Sequence, residues 1–74
     1  MKIIFKYNLP IIKETKDGFE KVVLTAVLTK GAINDYAVYI GIGSDEFIAR
    51  NGTKQSYVEA LRFFPMLQRE EYRN

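Results

Sequence analysis

The 74-residue sequence predicts an α+β fold: a three- or four-stranded antiparallel β-meander followed by one C-terminal α-helix packed on one sheet face. Three observations predict it. Apolar and polar residues alternate through much of the first half, the period-two signature of half-buried strands. Asp17-Gly18 separates the first two runs, and glycine accepts the positive φ that a tight hairpin demands. Beyond Gly52 the period becomes helical behind Ser56-Tyr57-Val58-Glu59, the spacing of a capping box. Length and a 47% hydrophobic content give a single folded domain, residues 1–74, near the lower size at which one core suffices.

The first strand takes its inward face from Ile3, Phe5, Tyr7, Leu9 and Ile11. The second is the β-branched run from Lys21 to Lys30. A two-residue Asp-Gly loop pairs Lys16 with Phe19, which sets Ile11 opposite Leu24, Leu9 opposite Ala26 and Tyr7 opposite Leu28. Pro10 cannot donate to a ladder, so the first strand belongs at the sheet edge, with a bulge or bend near Pro10. Gly31 to Asp35 is a loop. Tyr36 to Ile42 form the third strand, Gly43-Ser44-Asp45 a turn and Glu46 to Arg50 a short fourth strand. The helix starts at Ser56 and stops or kinks at Pro65, with a further helical turn from Pro65 through Glu71. The expected core is Ile3, Phe5, Tyr7, Leu9, Leu24, Ala26, Leu28, Val38, Ile40, Phe47, Val58, Leu61 and Phe64.

Composition narrows the chemistry. Without cysteine or histidine, disulfides, the usual zinc and haem ligand sets, and histidine- or thiol-based mechanisms are closed to this chain. We expect no enzyme activity, no cofactor and no metal. No apolar run approaches the roughly 20 residues of a membrane helix, and Lys6 interrupts the apolar N-terminus before it resembles a signal peptide. The expectation is a cytoplasmic chain with no membrane partner. Gly41-Ile42-Gly43-Ser44 and Gly52-Thr53-Lys54 lack the remaining positions of phosphate-binding loops and read as turns. Asp45 and Glu46 read as a solvated turn rather than a cation site, and Glu70 and Glu71 as exposed surface.

One helix covers one sheet face. The other face is expected to present Ile4, Val23, Thr25, Val27 and Tyr39, with Ile12 and Ala37, edged by Lys2, Lys6 and Lys21. Such an apolar surface marks an interaction site unless lysine stems and the C-terminal tail cover it. The leading expectation is therefore a non-enzymatic protein-interaction module, homodimeric in one version, that binds through this open face or a strand edge. The alternative is a nucleic-acid-binding module. Strands followed by a C-terminal helix are similar in layout to small domains that place a sheet in the DNA major groove. Its phosphate contacts would be the lysine-edged face, or a cluster of Arg50, Lys54 and Arg62 beside the helix. The net charge of +2 permits that reading and does little to favour it.

Overall fold

The computed structural model describes residues 2–69. Four antiparallel strands form a meander in sequence order: β1 (Lys2–Thr15), β2 (Gly18–Lys30), β3 (Tyr36–Ile42) and β4 (Thr53–Lys54). The helix α1 (Asp45–Asn51) separates β3 from β4, and α2 (Tyr57–Phe63) leads into a 3-10 turn, Pro65–Gln68. The α+β class and the meander followed by a helix are as the sequence predicts.

The β1–β2 hairpin closes with Thr15 opposite Gly18, so Leu9 faces Leu24 and Tyr7 faces Ala26. This register is displaced by two residues from the expected one. Lys16 and Asp17 form the loop with ordinary negative φ, and the positive φ of 127° falls on Gly18. A glycine just after the two loop residues, rather than within the loop, moves the ladder. An even displacement keeps every side chain on its expected face, because strand side chains alternate with period two. The ladder runs unbroken through Pro10 opposite Val23, where an edge strand leaves the missing donor on its unpaired side.

The irregularity lies elsewhere. Ile3 pairs with Thr29 but Phe5 pairs with Leu28, which leaves Ile4 as the extra residue of a bulge. Everything before it changes face. Ile4 packs against the core beside Leu28 and Val38 rather than on the opposite side. Lys2 pairs with Lys30, whose ammonium lies 5.7 Å from the centre of the Tyr36 ring. Ile3, expected in the core, moves to the other face.

The expected fourth strand over Glu46 to Arg50 is a helix. Ser44 caps it, its Oγ accepting from the Phe47 amide at 3.3 Å, and Asp45 and Glu46 occupy the positive first turn. The Ser56 cap of α2 is as expected, with Oγ accepting from the Glu59 amide at 3.3 Å. α2 stops at Phe63, and Pro65 opens the 3-10 turn, as proline at a first helical position should. The helical turn expected as far as Glu71 reaches only Gln68; Glu70 and Glu71 lie outside the described residues.

Each sheet face therefore carries its own helix. On one face α2 and the 3-10 turn bring Ala60, Phe64 and Leu67 onto Ala26, Leu28 and Val38. On the other, α1 packs over β2 and β3 with Ile48 fully buried. Five expected core members are exposed: Phe5, Tyr7, Leu9, Phe47 and Val58. Phe47 is half-exposed on α1, and Val58 faces solvent because α2 buries Ala60 together with Phe64 rather than its Tyr57–Val58 side.

Candidate functional site

The face expected to be open is closed where it is most apolar. The row Lys6–Val27–Tyr39–Lys54 crosses all four strands, and α1 lies over it. Val27 is fully buried, Thr25 is buried with its hydroxyl bonded to Asn8 Oδ1 at 3.0 Å, and Tyr39 is half-buried. Lys6 is tied to α1 through Asp45 at 2.9 Å. Of the seven residues expected to make the interaction face, only Val23 and Lys2 remain exposed without such a tie, and the bulge puts Lys2 on the opposite face from Val23. The C-terminal tail, the other expected cover, includes residues 70–74, outside the described residues.

Two glycines seat α1. A Cβ on Gly41 would meet Ile48 Cγ1 at 3.4 Å, so β3 offers a shallow site for that side chain. A Cβ on Gly52 would lie 2.6 Å from the Ile48 carbonyl oxygen and 3.0 Å from that of Ile40. Only a hydrogen fits there, and Gly52 N–H donates to Ile48 O at 2.7 Å. Gly52 thus serves close backbone approach, whereas a Cβ on Gly41 would make only ordinary van der Waals contact. Gly43, at φ 143°, makes the turn into α1.

Past α1 on that same face Val23, Ile12 and Phe19 stay 46%, 68% and 76% exposed, and further uncovered apolar surface lies on the face that carries α2. Seven helical residues extend about 10 Å, whereas the strands beneath run several times farther. Phe63 is the last cover, edge-on to Tyr7 with ring centres 5.8 Å apart. Beyond it the register aligns Leu9, Leu24 and Ile42 across three strands, followed by Ile11 opposite Val22. Tyr7, Leu9 and Ile42 are 44%, 39% and 42% exposed, and Ile11, Val22 and Leu24 are half-buried. β3 pairs no farther than Leu24, so residues 10–23 form a two-stranded ribbon that extends the molecule to 45 Å. Of these apolar residues, Tyr7, Leu9 and Leu24 are expected core members; α2, which ends before Pro65 as expected, is too short to bury them.

The expected cations are divided between the faces: Arg50 is in the last turn of α1 and Lys54 pairs with Tyr39 in the row beneath that helix, whereas Arg62 is exposed on α2, which packs on the opposite face. Lys21 pairs with Ile12 on the ribbon while Lys6 pairs with Val27, a separation of about 20 Å along the strand. A cleft of about 230 Å³ between α2 and β3, lined by Leu28, Tyr36, Val38, Tyr57 and Leu67, falls below the roughly 300 Å³ of small-ligand sites. Its one hydroxyl from α2, on Tyr57, already donates to Leu67 O at 2.9 Å. Among the described residues no group of three carboxylates could hold a metal ion, and no helix is long and apolar enough to cross a membrane. No family model, curated protein or solved structure matches the chain.

Proposed function

We propose that this chain is a small non-enzymatic protein-interaction module, and that it binds through the uncovered surface of Tyr7, Leu9, Ile11, Val22, Leu24 and Ile42. One observation carries the reading: two successive cross-strand rows, Leu9–Leu24–Ile42 and Ile11–Val22, are apolar and lie past the last covering side chain, Phe63, which packs on Tyr7. From their fractional exposures these residues offer roughly 400 Å² of apolar surface, within the range of the largest patches that mark interaction sites. An isolated two-stranded ribbon is marginal in water, so an arm of this length gains from a surface that covers it. The dispersed cations offer no comparable support for the nucleic-acid alternative.

A photo-crosslinking residue at Leu9, compared with one at Val58, tests the proposal in the cell that makes the protein. The Leu9 position should form an adduct with a defined polypeptide, identified by mass spectrometry of the linked peptide, and Ile42→Lys should abolish it. Adducts that form equally from Val58, or that survive Ile42→Lys, overturn the reading.

A further inference from the structure

We infer that the partner is a second copy of this chain, packed face to face across a two-fold axis near the Leu9–Leu24–Ile42 row. This rests on the interaction reading above and names its occupant.

Area and charge argue for it. Roughly 400 Å² of apolar surface per copy becomes roughly 800 Å² in a symmetric pair. A standard interface buries about 1,200–2,000 Å² in all, somewhat over half of it apolar, so the patch paired with itself supplies what a specific dimer needs. The ribbon carries Lys13, Lys16 and Lys21 against Glu14, Asp17 and Glu20, and its charge cancels. At the outer margin of the patch, Lys13 stands opposite Glu20, one of each sign. A nucleic acid or an anionic membrane would be drawn to an excess of cations, which this arm does not have. A copy of the same balanced surface meets no net repulsion and needs no opposite field. The rows share one sheet face, and a two-fold operation brings each row onto an equivalent one.

Sedimentation velocity on the purified full chain, from about 10 μM to about 1 mM, decides between the occupants over the range where an interface of this size associates. The expected result is a reversible shift toward twice the 8.6 kDa monomer. Leu9→Lys and Ile42→Lys should each raise the dimer dissociation constant at least about 100-fold, since every substitution enters the interface twice. Val58→Lys, at a site 71% exposed on α2, should leave it unchanged. Circular dichroism of each variant confirms that a lost dimer is not a lost fold. A wild-type chain that stays monomeric throughout overturns the inference without any variant, whether or not an oligonucleotide is then found to bind. A dimer indifferent to both lysines also overturns it. If the chain is monomeric yet the Leu9 crosslinker captures a different protein, the dimer fails and the interaction module stands. If neither occurs, both fail.

Discussion

Replacing Ile48 with alanine tests whether α1 is a structural cover or a loosely attached appendage. Ile48 is fully buried between α1 and the β2–β3 surface, against Gly41. The substitution removes three carbon atoms. At about 0.8 kcal/mol per buried methylene the transfer loss is about 2.4 kcal/mol, and the cavity left behind adds to it. Alanine's better helix propensity returns about 0.4 kcal/mol. The net cost is about 2–3 kcal/mol, a large share of the roughly 4–11 kcal/mol expected for a domain of this size. At about 4–8 °C per kcal/mol, Tm should fall by roughly 10–20 °C. Urea titration followed by far-UV circular dichroism measures it, with Val58→Ala as the exposed control that should stay within about 0.5 kcal/mol of wild type. If Ile48→Ala is no more destabilising than the control, α1 does not seal the Val27 face and the division of the sheet described above is wrong.

Other substitutions probe the remaining devices. Gly52→Ala drives a methyl into two backbone carbonyls and should destabilise by about 2 kcal/mol or more in the same titration, although φ at Gly52 is an ordinary −67°. Gly18→Ala meets open space, so its cost is conformational alone, about 1–2 kcal/mol from the positive φ. The Lys6–Asp45 pair is 45% and 36% exposed, so a double-mutant cycle should give a coupling below about 1 kcal/mol that fades in 1 M salt.

The meander, the edge position of β1, the Ser56 cap and the stop at Pro65 were all legible in the sequence, because each rests on local chemistry. The bulge at Ile4 was not. No residue type announces it, and the apolar run Ile3-Ile4-Phe5 satisfies either face. α1 was misread for a different reason. Phe47 and Ile48 are weak helix formers in a seven-residue segment, which cannot hold a helix alone. Ser44-Asp45-Glu46 did carry an N-terminal signature, but the burial of Ile48 against β2 and β3 is tertiary and has no local signal. The misreading moved the functional surface. With α1 taken as a strand, the Val27 face looked open and the Leu9–Leu24–Ile42 row looked covered.

The absence of cysteine allows the division between the faces to be measured directly, since any introduced thiol is unique. Thiol-labelling rates of Val27→Cys and Leu9→Cys, compared at concentrations low enough to keep the chain monomeric, report which surface solvent reaches. Leu9→Cys should label at close to the rate of an exposed thiol. Val27→Cys should be slower by at least about 100-fold, because its reaction must await local opening of α1 from the sheet. Equal rates at the two positions would contradict the account.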